Sequence, residues 1–317
     1  MSTIGVVCPP DLDAGTFVEY AKKAERLGFD ELWLIEDCFL NGGIAQAAIA
    51  LSSTSSIGVG LGILPAAARN VAFAAMDIST LCRVFPGRVT VGIGHGQPGW
   101  IRQVGAWPRS PLTLLREYLT ALRALLAGED ASVKGEYVSL SDVRLGLPIA
   151  SSPRLFAGVR GPRSVALAGA FADGLLLAEP VTPEYLASVI EQLGEIPPSF
   201  ELAAYNVAAV DADVNVARDR ARLGLAWIGD PEWAPHIEPL PFAAEFIELR
   251  AASATREEFA ARLPDAWVDQ LAIVGTPATA RARIEELNRA GASNVILIPS
   301  GMPAIDALDG LAGVLSH

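Results

Sequence analysis

The chain has 317 residues, 51% of them hydrophobic, enough for a deep core in one large domain or two ordinary ones. Thirty-six acidic residues against 24 basic ones give a formal charge of −12. A surface of that sign, with no stripe of Lys and Arg, repels phosphate backbones, so nucleic acid is excluded as an expected partner.

No apolar run approaches the roughly 18 residues that a membrane span needs, so no membrane partner is expected. The N-terminal MSTIGVV has neither a basic leader nor a cleavage site. The three cysteines, Cys8, Cys38 and Cys82, show no C-x-x-C spacing. The expected setting is therefore the cytoplasm, with reduced thiols.

In chain order, short β-rich runs alternate with longer helical ones, the pattern of a parallel sheet wrapped by helices. TIGVVC (3–8) is the first expected strand. The helix after it carries Phe17, Tyr20, Ala21, Ala24 and Leu27 on one face and ends at Gly28. ELWLIED (31–37), SIGVGLGIL (56–64) and RVTVGIG (88–94) are the next strands. Their helices are expected over 43–53, 71–84 and 110–128, the last with Ser110 as cap and Pro111 in the first turn. RLFAGV (154–159), DGLLLA (173–178), ELAAYNVAAV (201–210) and NVILIPS (294–300) continue the scheme. Helices over 162–172, 182–193 and 276–291 separate or precede them.

Eight β/α units predict an α/β fold, a single (β/α)8 TIM barrel spanning residues 1–317. A doubly wound open sheet is the competing fold, which alternation alone does not separate from a barrel. Residues 211–270 fit neither scheme, being helical but broken by GDPEWAPHIEPLP (229–241). They are read as a helical insertion between strands seven and eight, suited to covering the barrel mouth. Its His236, like the terminal His317, is expected at the surface.

In a β/α barrel, the strand C-termini and the loops after them carry the chemistry. The polar residues there are Asp37 and Cys38, Arg69 and Asn70, His95 and Gln97, Arg160 and Arg163, Glu179, Asp211, and Ser300. No histidine pair or carboxylate cage stands among them, so no metal is expected. No serine occupies a G-x-S-x-G elbow and no lysine ends a strand. The hard chemistry is therefore expected to belong to a bound organic cofactor.

Gly94, Gly96 and Gly99 fit G-x-G-x-x-G, but Trp100, Pro108 and Pro111 intervene before the next long helix, which makes the dinucleotide signal weak. Gly58, Gly60 and Gly62 fall on one face of strand three. With the glycine-rich end of strand four, Gly94 included, they suggest a slot where a planar ring lies on bare backbone. Gly158 and Gly161 expose amides at a helix start, and Arg160 and Arg163 add charge. A phosphate or similar acid is the natural guest there, against the alternative of an ordinary strand-to-helix turn. His95 suits an acid, a base or a ring contact, against a loop residue holding backbone. Asp37 suits a ring edge or substrate hydroxyl, against a helix cap, and Arg69 an anion, against a salt bridge.

ELWLIEDCF, VGLGILPAAARN, GRVTVGIGHG, GVRGPRSVALAGAFADGLLL and GTPATARARIEELNRAGASNVIL stand in an order that resembles the bacterial luciferase-like flavin-dependent oxidoreductases. Within them the chain is most similar to the deazaflavin branch that includes methylenetetrahydromethanopterin reductases. The resemblance implies a barrel that binds coenzyme F-420, an 8-hydroxy-5-deazaflavin, or FMN at its mouth. It implies hydride transfer to or from a small organic substrate, and often a homodimer. It also implies a bulge at the end of strand three, often with a non-proline cis peptide, at Gly62–Ile63. The turn of Gly158, Val159, Arg160, Gly161, Pro162, Arg163 and Ser164 would meet the cofactor's phosphate or ribityl chain.

The chain departs from sugar-phosphate-oxidising relatives, which carry Asp-His after strand two and a proton-donating glutamate after strand four. Here Asp37-Cys38 and Gln97 take those places. An amide does not exchange a proton near neutral pH, so those substrates are disfavoured. His95, Asp37 and Gln97 are the expected residues at the reacting centre. An FMN-dependent monooxygenase and a non-catalytic flavin-binding relative stand as alternatives to an F-420-dependent oxidoreductase.

Overall fold

The structure, a computed structural model, describes residues 2–315, so His317 lies outside the described residues. Eight parallel strands form the frame: β1 (Thr3–Cys8), β2 (Glu31–Leu34), β3 (Gly58–Pro65), β4 (Val89–Gly94), β5 (Arg154–Gly158), β6 (Gly174–Leu177), β7 (Glu201–Val210) and β8 (Asn294–Pro299). Each pairs with the next in parallel, and β8 pairs with β1, which closes the barrel and excludes the open sheet. β2 stops at Leu34, three residues short of the expected end, so Ile35, Glu36 and Asp37 leave the sheet and enter the mouth.

The strands are nearly continuous apolar runs because both faces are covered. Period two sends Leu32 and Leu34 outward to the helices, where they join the main core, and Trp33 inward. Inside, Trp33 packs with Val7, Phe156, Leu176, Ala203, Tyr205 and Ile296. Aromatic stacking fixes this column: Trp33 and Phe156 lie 6.2 Å apart, and Trp33 meets Tyr205 edge-on at 5.9 Å.

This interior corrects the expected slot. A Cβ at Gly60 would overlap the Trp33 indole, and one at Gly62 would overlap the Tyr205 hydroxyl. The flat group that needs bare backbone at Gly60 is the protein's own tryptophan. At the rim, a side chain at Gly158 would overlap Ile63, and one at Gly94 would come within 3.1 Å of it. The glycines seat Ile63 across the strand ends, and the mouth has an apolar shelf instead of exposed backbone.

Four elements outside the insertion lie beyond the sequence expectations, the last in the chain being the helix Ala304–Ala312. A short helix, Pro98–Gln103, follows β4. An antiparallel hairpin, Ala131–Lys134 with Ser139–Val143, is anchored by Glu117, whose carboxylate accepts the Glu136, Tyr137 and Val138 N–H groups at 2.9–3.0 Å. A three-residue strand, Ile273–Gly275, pairs with the far end of β7.

Between β7 and that strand run the helices Val214–Gly224, Ala243–Ala251, Arg256–Arg262 and Asp265–Leu271. They share an apolar cluster of their own that includes Trp233, Phe246, Phe259 and Leu271. The proline-rich stretch forms two single turns, Pro231–Trp233 and Ala234–Ile237, and His236 in it is 0% exposed, contrary to its expected surface position. Proline marks the turns, but Trp233, His236 and Ile237 point the strap inward.

Among the described residues, no helix is long and apolar enough to cross a membrane, and no group of three or more His, Cys, Asp or Glu is placed to hold a metal ion.

Candidate active site at the barrel mouth

The exits of β4 and β5 meet because Gly94 and Gly158 are register partners. His95 follows directly, and Gly96 turns the chain at φ 71°, a value that L side chains rarely adopt. His95 Nε2 lies 3.2 Å from Ser164 Oγ in a hydrogen bond. Burial pushes the imidazole below its ordinary 6.5, so it is neutral at pH 7. Ser164 stands in the first turn of the helix Pro162–Phe171, whose N-cap, Gly161, supplies no side-chain cap. Nothing lies within 4 Å of where a Gly161 Cβ would be, so the N–H end of this helix stays open.

The rest of that turn divides by exposure. Val159 is buried in the main core, so only its backbone faces outward, while Pro162 and Arg163 are exposed. Arg160 is half-buried and lies over the Trp233 ring, 4.4 Å from its centroid. Among the described residues it has no ion-pair partner; the negative groups facing it are Glu179 and Glu232, with Tyr185 beside them. Desolvation lowers its pKa, the mark of a charge drawn out of water without a matching contact.

The exit of β6 is built around a cis Glu179–Pro180 bond. The strap pins it from outside: Trp233 Nε1 donates to the Glu179 carbonyl at 2.7 Å, and His236 Nδ1 donates to the Pro180 carbonyl at 3.2 Å. Asn206 Oδ1 accepts the Val181 N–H at 3.0 Å. His236 Nε2, Tyr185 Oη and Asn206 Nδ2 are buried without partners in this cluster, as is Tyr205 Oη inside the barrel. Burial pushes the Glu179 carboxyl upward; its own backbone N–H and Arg160 oppose the rise, and Asp37 adds to it.

The exits of β2 and β3 are tied by an ion pair. Arg69 grips Glu36 with two hydrogen bonds of 2.5 and 2.6 Å, and Glu36 also accepts the Gly43 N–H at 2.7 Å. Arg69 is therefore engaged within the chain, and Glu36, not Asp37, reaches the next helix start. Asp37 is half-buried and its carboxyl is raised by desolvation. The peptide bonds Cys38–Phe39 and Gly62–Ile63 are both cis. Ile35, Ile63 and Ile298 stand partly exposed on the interior aromatic column and form the mouth's floor.

Of the expected residues, the structure brings His95 to Ser164 beside the open helix end, and Gly94 and Gly158 together under Ile63, while Gly62 lies over Tyr205. Gln97 is the N-cap of the short helix Pro98–Gln103 and makes no side-chain cap there. Asp211 pairs with Arg220 at 2.8 Å, and Ser300 donates to the Arg220 carbonyl at 2.7 Å, so both serve the first inserted helix. Sequence reasoning missed Glu36, Tyr205 and the inward strap. The one available signal was Tyr205-Asn206 inside the otherwise apolar run of β7.

A family model described as luciferase-like monooxygenase matches residues 3–294. The chain is 29% identical to the 5,10-methylenetetrahydromethanopterin reductase of Methanolobus tindarius, over 93% of each chain. It is 25% identical to the F420-dependent glucose-6-phosphate dehydrogenase of Amycolatopsis mediterranei, over 88% of this chain and 86% of that one. The solved coenzyme F420 dependent tetrahydromethanopterin reductase of Methanopyrus kandleri superposes with a TM-score of 0.82 at 20% identity, over 98% of this chain and 97% of that one, a likeness of fold.

Proposed function

The chain belongs to the luciferase-like monooxygenase family, and from that premise we propose that it is an oxidoreductase using coenzyme F-420 to pass a hydride to or from a small organic molecule. The bound deazaflavin would supply the hydride chemistry, which no side chain can. The choice of deazaflavin over FMN is supported by relatives named for F420 dependence.

One observation carries the reading: an uncapped helix start, with neutral His95 bonded to its Ser164, stands beside an arginine that has no ion pair among the described residues. Such an end attracts acid groups through free N–H donors and the helix dipole. Arg160, Gly161 and Ser164 would hold the cofactor's acidic tail. Ile35, Ile63 and Ile298 would take the face of a flat apolar ring. These groups fit the cofactor, since each offers an unfilled valence or an apolar surface at the mouth.

His95, neutral in the free protein, orients Ser164 by hydrogen bonding. Gln97 would position a ligand by its amide and move no proton. Asp37 and Glu179 are the carboxyl groups available for that task.

Fluorescence titration of the purified protein with F-420 and with FMN tests the proposal. Tight F-420 binding that Ser164→Ala weakens supports it. Tight FMN binding with F-420 ignored overturns it in favour of an FMN-dependent monooxygenase.

A further inference from the structure

Glu179 stands at the mouth without an assigned role. Its main chain is clamped on the outside by Trp233 and His236, so the turn is held on two carbonyls. Its carboxyl has no ion-pair partner among the described residues, and the groups that face it come from three other elements. Arg160 stands at the β5 exit and Asp37 at the β2 exit, while Tyr205 on β7 feels the Glu179 charge. Arg160 is the only cation of the set, and stacking on Trp233 holds its plane in place while its N–H donors keep no ion pair.

Resting on the F-420 reading, we propose that Glu179 is the proton donor of the site. It takes up a proton when an acidic cofactor engages Arg160, and gives it to the substrate atom beside the one that receives the hydride.

Electrostatics supplies the coupling. While Arg160 is unengaged, its positive field adds to the hydrogen bond from Glu179's own backbone N–H in favouring the carboxylate, against burial and Asp37, which favour the acid. An anion seated on Arg160 adds negative charge nearby and cancels that field, so the balance moves to the protonated carboxyl. In the reducing direction, a hydride from the reduced deazaflavin forms a C–H bond at the carbon of a C=O or C=N group. The π pair moves to the heteroatom, which takes the Glu179 proton. The products are an alcohol or amine, the oxidised cofactor and the Glu179 carboxylate, so atoms and electrons balance. In the oxidising direction the carboxylate accepts the proton.

Proton uptake on F-420 binding tests this without a substrate, by calorimetry in buffers of differing ionisation enthalpy. The expected result is net uptake, approaching about one proton per site over a window of pH. In Glu179→Gln, binding should persist and the uptake vanish; Glu179→Asp should retain it. Equal uptake in wild type and Glu179→Gln, or none in the wild type while F-420 binds, overturns the proposal. Titration of δ-13C-labelled glutamates in the free protein is the second measurement: Glu179 should ionise after the others, and a midpoint among them also overturns it. Failure to bind F-420 at all instead removes the cofactor reading, and the glutamate titration still decides the carboxyl.

Discussion

The two ends of one barrel handle polar groups in opposite ways. At the closed end, Glu31 accepts from Arg154 at 2.6 Å, from the Trp33 indole at 2.8 Å and from Asn294. Arg154 also reaches Glu201 and Thr90, both at 2.8 Å. Only Asn294 Oδ1 is left without a partner there. At the mouth and its flank, Tyr205, Asn206, Tyr185 and His236 each keep a buried unpaired atom, and Arg160 and Glu179 have no ion pair among the described residues. Buried polar atoms are normally satisfied, so these exceptions set the mouth and its flank apart from the closed end. On the proposed function, the contrast separates residues kept for stability from residues kept for binding.

The sharpest way to break that contrast is at the closed end. Arg154→Met strands a Glu31 that is 6% exposed. It should cost about 3–5 kcal/mol in urea unfolding and leave F-420 affinity of the folded fraction unchanged. A lost affinity with intact stability would reverse the assignment of the two ends.

Gly60→Ala should cost about 1–3 kcal/mol, read as a lowered Tm, because the new methyl meets Trp33 and not solvent. No change would mean that the indole is loosely held and the slot open after all.

His236 sharpens the view of the mouth's flank. Burial, chiefly, and Arg160 push its imidazole down to about 3. Between the ordinary 6.5 and about 3, the unfolded chain therefore binds a proton that the folded chain does not. This group removes stability as pH falls through that window, by about 1.4 kcal/mol per pH unit. His236→Phe should flatten the acid limb of stability against pH by that slope, measured by urea unfolding across the window.

The smallest stability effect belongs to the mouth proper. Arg160→Leu should change stability by no more than about 0.5 kcal/mol, yet weaken F-420 binding about tenfold or more in fluorescence titration.

How much of this was legible follows the same division. The eight barrel strands and seven of the helices beside them were readable, because double-sided burial writes an apolar run and each helix a stripe; the helix Ala304–Ala312 was not read. Gly28, Ser110 and Pro111 marked ends that the structure keeps. The hairpin was not readable, since Glu117 lies 19 to 21 residues from the amides that it holds. The same distance problem hid Glu36 from Arg69, 33 residues apart. Glycine spacing told correctly that something flat crosses β3, but spacing cannot say whose ring it is. His236 was misplaced because prolines predict a turn and say nothing of which way its side chains face.

The aromatic column from Trp33 through Tyr205 to Gly62 has one more consequence. Rooted through the Trp33 indole on Glu31, it stops the barrel like a cork beneath Ile63. The vessel is a dish of fixed depth. A larger guest cannot be admitted by hollowing it out and must be met sideways, by new loops around the rim. Variation in what such a chain acts on should therefore accumulate in its connecting segments while the stopper stays as it is.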